Sequence, residues 1–166
     1  MRMAHKGLLL AALHVALVLS IAAKLLIDRN SLPRVWVEVT PVDPDAPIRG
    51  RYLSLRLEAV PRGFSADQRA TGRFAAILEV QNNQLVAVAS KDSTGTWVRF
   101  DALRAAPFVT VDEPVAYFIP EHIPDPSRRP REEVLWAEVT VPRNGPPRPI
   151  RLGVKKNGVL TPLDIH

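Results

Sequence analysis

The sequence predicts an all-β fold, a compact antiparallel sandwich or barrel, preceded by one N-terminal transmembrane helix. Three observations carry that prediction. The 21 residues from Gly7 to Ile27 form an apolar run with a single fixed charge. After it, apolar residues recur with period two in short stretches bounded by turn residues, which is the patterning of strands. Sixteen prolines against eight glycines in 166 residues argue against a helical bundle, because each proline removes a backbone donor and breaks a helix interior. With 46% hydrophobic and 23% charged residues, the composition is that of a folded chain.

Residues 1–6 read as a short tail, 7–27 as a signal anchor, 28–33 as a linker and 34–166 as one exported β domain. As a helix, GLLLAALHVALVLSIAAKLLI rises about 1.5 Å per residue and reaches about 30 Å, one hydrocarbon thickness. Lys24 lies near its far end, where the aliphatic stem can follow the lipid and the ammonium reach the interface. His14 sits mid-segment. It reads as a neutral imidazole tolerated in a strongly apolar helix, or as a contact to a partner helix or a proton relay. A cleaved signal peptide is the rival reading: Arg2 and Lys6 form a basic leader and Ser20-Ile21-Ala22 offers small residues. The run from Leu8 to Ala23 is longer than the roughly 7–15 residues of a signal core, which favours an anchor. Arg2 and Lys6 precede the span and Arg29 and Arg34 follow it, so charge bias barely sets orientation. The short tail favours an inside N-terminus and a translocated C-terminal domain.

The elements of that domain follow in order. Val35, Val37 and Val39 alternate with Trp36, Glu38 and Thr40. Leu53, Leu55 and Leu57 share one face of a second strand. Phe74 to Val80 and Leu85 to Ala89 flank the polar loop Gln81-Asn82-Asn83-Gln84, a hairpin. Val134 to Val141 alternates again, and Ile150 to Lys156 and Val159 to Pro162 flank Asn157-Gly158. That dipeptide suits the two φ > 0 positions of a type I′ turn. About eight strands are expected in all. Ser65 to Thr71 and Phe100 to Ala106 are candidates for short helices, and Pro41 to Pro47 and Pro120 to Pro130 read as ordered turns.

Several function classes drop out on composition. Three of the 22 basic residues (Arg2, Lys6, Lys24) and no acidic one lie in residues 1–27, leaving 19 basic against 17 acidic ones in 28–166. The remainder is close to neutral, and aromatic residues are only 6%. Neither a focused phosphate-binding face nor a stacking platform is present, so no nucleic-acid partner is expected. No cysteine occurs, which removes disulfides, thiolate nucleophiles and cysteine zinc sites. Of four histidines only His122 and His166 lie in the domain, and no Gly-x-Ser-x-Gly elbow accompanies them. An adjacent Glu121-His122 lacks further ligands for a closed metal site. A serine–lysine dyad would draw on Ser54 or Ser90 with Lys91, Lys155 or Lys156. Ser90 and Lys91 are adjacent, and a strand would point them to opposite faces. No cofactor, metal site or catalytic residue is assigned.

The segment Val39-Thr40-Pro41-Val42-Asp43-Pro44-Asp45-Ala46-Pro47-Ile48-Arg49-Gly50-Arg51-Tyr52-Leu53-Ser54-Leu55 resembles the membrane-anchored bacterial GDYXXLXY family. Gly50, Tyr52 and Leu55 match its motif, whereas Arg51 stands where the family has Asp and Leu57 where it has Tyr. The Tyr117–Glu121 run and the terminal Gly153–Leu163 stretch resemble its later blocks. The resemblance implies a single-span inner-membrane protein with a periplasmic β domain and an accessory relation to an integral membrane protein. It implies no activity. The residues themselves give the motif a structural reading. Asp43 and Asp45 can close Asx-turns, Gly50 can take φ > 0, Arg49 can pair with either carboxylate, and Tyr52 can start the strand. The same turn is the first candidate for a recognition surface, and the Glu121–Glu133 loop the second. Two alternatives stand beside this reading. One is an envelope hydrolase or peptidase using a Ser/Lys or Glu/His site; the other is a secreted ligand-binding domain released by signal cleavage.

Overall fold

The structure, a computed structural model, describes residues 2–42, 52–65, 72–92, 94–100, 108–143 and 145–165. The chain divides into two compact units, residues 1–32 and residues 33–166.

The first unit is one helix, α1 (Arg2–Ser31). Its Lys6–Ile27 stretch is long and apolar enough to cross a membrane, and its leucines are exposed, Leu8 at 73% and Leu13 at 66%. A helix that is apolar all round has no polar face to turn toward water. The helix also takes in residues 28–31, expected as linker, and leaves only Leu32 and Pro33 before the first strand at Arg34. The Ser31 hydroxyl donates to Ile27 O at 2.6 Å in the last turn. Pro33 then disfavours helical dihedrals at Leu32, which ends the helix there.

The second unit is all β. Its strands are β1 (Arg34–Val42), β2 (Tyr52–Arg62), β3 (Arg73–Gln81), β4 (Gln84–Ala89), β5 (Thr96–Phe100), β6 (Val109–Val111), β7 (Val115–Phe118), β8 (Val134–Thr140), β9 (Arg148–Lys156) and β10 (Val159–Pro162). The 11-residue β2 belongs to two sheets at once. Its second half pairs β6 through Glu58↔Thr110 and Ala59↔Val109 and β4 through Val60↔Val86 to Arg62↔Val88. The neighbours β4-β3-β5-β6 complete a closed five-stranded barrel. Its first half pairs β1 on one edge and β7 on the other, and β1-β8-β9-β10 extends that sheet. All ladders are antiparallel except β2–β4.

The inward faces follow the period-two pattern. Leu55, Leu57, Val35, Val139 and Leu152 are fully buried and join the two halves into one cluster with Ala59, Ala76, Ala87, Val98, Val109 and Val111. Phe64, just past β2, plugs the barrel. Its ring meets Phe100 edge-on at 5.1 Å and Phe74 at 6.3 Å, geometries that add to simple burial.

Both predicted hairpins form. Asn157 (φ 51°) and Gly158 (φ 82°) occupy the two left-handed positions between β9 and β10. Between β3 and β4 the turn is tighter than the expected four-residue loop. Asn82 (φ 49°) and Asn83 (φ 59°) make it, and Gln81 pairs with Gln84 as the last rung. Asparagine tolerates φ > 0 better than other side-chain-bearing residues. The expected turn beginning at Pro41 is partly corrected. Pro41 and Val42 lie in β1, opposite Leu55 and Ser54. Pairing of β1 with β8 ends at Glu38, so beyond it one edge carries no ladder among the described residues, a position that accepts proline. β5, β6 and β7 lie outside the strands read from the sequence. The candidate helix at Phe100–Ala106 begins on the last residue of β5. Its remainder, and residues 66–71 of the other candidate helix, lie outside the described residues.

Candidate interaction surface

The register of β2 against β7 brings together the two regions singled out from sequence. Tyr52, the first residue of β2, pairs with Phe118, the last of β7. Residues 43–51 lead into Tyr52 and the 119–133 loop leaves Phe118, so both candidate segments attach at one end of this ladder. Asp43, Asp45, Arg49 and Gly50 lie outside the described residues.

Alternation decides which side chains of β7 face out. Val115 is buried and Tyr117 packs against the core, while Ala116 and Phe118 point away. Phe118 is 70% exposed. The half-buried Tyr52 ring lies beside it, with centroids 6.1 Å apart and planes tilted by 52°. Among the described residues β7 pairs with β2 alone, and Pro114 and Pro120 flank it. A water-facing phenylalanine in a strand end is an exposed apolar anchor. Burial pushes the Tyr117 phenol above its usual 10.0. Leu55 has a different role: it is fully buried and pairs with Val115 and Pro41, so its part in the motif is core packing.

The Glu121–Glu133 loop is built from successive turns. Ile123 N donates to Pro120 O at 3.2 Å and Glu133 N to Pro130 O at 3.0 Å. The Asp125 carboxylate accepts from Ser127 N at 2.9 Å and from its hydroxyl at 2.7 Å, an Asx-type closure. Arg128 pairs with Asp125 at 3.6 Å, and Arg129 and Lys156 both reach Glu133, at 3.5 and 3.3 Å. Arg128 and Arg129 are thus partly neutralised on the spot. Glu121 and His122 are exposed in a turn.

Two clusters absent from the sequence reading lie elsewhere. Arg73 and Arg99 (3.2 Å) both pair with the largely buried Asp112, and Arg73 lies 5.7 Å above the Trp97 ring. Arg73, Trp97 and Asp112 border an open groove of about 740 Å³, which Gly95, Pro142 and Arg143 also line. On the outward face of β1, β8 and β9, Arg151 sits 5.3 Å over Trp36 and pairs with Glu138 at 2.6 Å, while Lys155 sits 4.6 Å over Trp136. These partners lie 13 or more residues apart in the chain, and the strand register joins them.

The proposed dyad residues are placed as follows. Ser54 is buried between Val42 and Ala116 in the β1–β2–β7 ladders. Lys155 is held over Trp136 and Lys156 at Glu133. Among the described residues no group of three or more His, Asp or Glu side chains could hold a metal ion. Comparison with models of protein families, with curated proteins and with solved structures finds no match.

Proposed function

We propose that this chain is a single-pass inner-membrane protein whose β domain stands on the periplasmic side and acts as a non-enzymatic accessory to an integral membrane protein. The observation that carries the proposal is the Tyr52–Phe118 pair at the end of the β2–β7 ladder. Phe118 at 70% exposure is apolar area held in a fixed conformation by a strand, and aromatic anchors of this kind dominate binding energy at protein interfaces. Burying it against a partner gains on the order of 2 kcal/mol. The apolar helix supports the membrane half of the reading, since tethering confines the domain to the partner's plane and raises its effective concentration. The 119–133 loop leaves directly from Phe118 and borders the same surface. The GDYXXLXY resemblance points the same way.

The test is copurification. A C-terminally tagged full chain, extracted in mild detergent, is expected to carry one membrane protein at fixed stoichiometry. Phe118→Ser should remove it, while Val159→Ser, at a 66% exposed position on the β9–β10 hairpin, should not. Equal recovery with both variants would refute the assignment.

A further inference from the structure

Among the described residues of the membrane helix, His14 presents a ring nitrogen with no partner in the helix. The His14 Nδ1 lies 2.8 Å from Leu10 O. A carbonyl oxygen only accepts, so Nδ1 is the donor, and a neutral imidazole with its proton there presents a lone pair at Nε2. Ser20 differs: its hydroxyl donates to Leu17 O at 2.7 Å, so its proton is satisfied within the helix. Lys24 lies close enough to the end of the span to reach the interface. His14 is three residues from the middle of Lys6–Ile27, which at about 1.5 Å per residue is within about 5 Å of the bilayer centre. No water is available there, and an unsatisfied polar atom in hydrocarbon is costly.

At about 100° per residue, Gly7, Leu10, Val18, Ile21 and Leu25 lie within roughly 40° of His14. Their spacing of threes and fours is that of a helix-packing seam. Gly7, with nothing within 4 Å of the position a Cβ would take, leaves room on this face for another backbone. We propose that this face packs against a transmembrane helix of a different protein, one that offers a hydrogen-bond donor (a hydroxyl or amide side chain) to His14 Nε2. A second copy of this chain is the wrong partner for that atom. Two symmetry-related Nε2 lone pairs meet as acceptor against acceptor, and each Nδ1 proton is already committed to Leu10. The inference rests on the membrane-accessory reading and deepens it by naming the chemistry of the partner within the bilayer.

The test uses the full chain in its own membrane. A photo-reactive phenylalanine derivative is placed singly at Leu10 or Ile21, on the His14 face, or at Leu9 or Leu19, on the opposite face. Adducts to another membrane protein are expected from Leu10 and Ile21 only. His14→Leu, which keeps the span apolar, should lower the Ile21 adduct about threefold to tenfold, the range for single hydrogen bonds between membrane helices. His14→Gln should restore it. Adducts from all four positions, adducts to a second copy of this chain, or an Ile21 yield unchanged in His14→Leu would each overturn the inference. Copurification with wild-type and Phe118→Ser chains separates the two proposals. A partner lost on Phe118→Ser but never crosslinked from the His14 face leaves the surface assignment standing and refutes the helix contact. Face-specific adducts that need His14, with recovery indifferent to Phe118, support the helix contact and refute the surface. No partner by either method refutes both.

Discussion

Gly153 stands opposite Trp136 in the β8–β9 ladder, and its missing side chain is occupied by a neighbour. A Cβ there would lie 2.8 Å from the Trp36 ring and 3.1 Å from Thr161 O. Trp36 is itself covered by Arg151, so it has little freedom to withdraw. Gly153→Ala is expected to cost about 1–3 kcal/mol, as overpacking does, read as a lower urea midpoint of the full chain in detergent. Tyr117 gives a pH-dependent counterpart. Burial raises its folded pKa above 10.0, so the fold favours the neutral phenol. That stability is complete below about pH 10 and is lost as pH rises through the raised value. Melting curves between pH 9 and 11.5 should fall less steeply for Tyr117→Phe than for the unaltered chain. An identical slope would show that Tyr117 does not govern the alkaline loss. At this scale the core was readable: the alternation of Leu53, Leu55 and Leu57 gives three buried residues. Phe118 was not. Val115–Phe118 has only four residues, too few for a period to stand out, and the Tyr52 ring that braces it comes from a distant strand.

Among the elements, the hairpins were the most legible, because their turns are local chemistry. Asn157-Gly158 specifies its turn directly. The Asn82-Asn83 turn places a side-chain-bearing residue at φ 59° on its second position, where glycine is less strained. Asn83→Gly should therefore raise stability by a few tenths of a kcal/mol, enough to detect as a shift in melting temperature. The barrel offers a comparison of forces. Asp112 holds Arg73 and Arg99, yet their side chains are 58% and 59% exposed, so water and salt screen these pairs, which contribute about 1 kcal/mol or less apiece. Phe64 is 5% exposed and meets two other rings. Phe64→Ala should cost about 3–5 kcal/mol, well beyond Asp112→Asn. Denaturation midpoints in which Asp112→Asn is the more damaging change would reverse that ranking. The ion cluster was not legible, since Arg73, Arg99 and Asp112 meet only through the β3–β5–β6 register.

For the whole molecule, the sequence carried the class and withheld the closure. Period two identifies strands and their inward faces, and the apolar run identifies a helix long enough to cross a membrane. It does not say that β2 is shared between a barrel and an open sheet. The pairs that do this, Val60↔Val86 and Glu58↔Thr110, join segments far apart in the chain with no turn chemistry between them to fix the register. The same long-range pairing sets Phe118 beside Tyr52 and creates the proposed contact surface. Its direct test is a photo-reactive phenylalanine derivative at position 118 in living cells, compared with one at Trp97, which is 46% exposed on the barrel. One adduct, to a single integral membrane protein, is expected from position 118, and none to that protein from position 97. No adduct from 118, or the same adduct from both positions, would contradict the proposed surface.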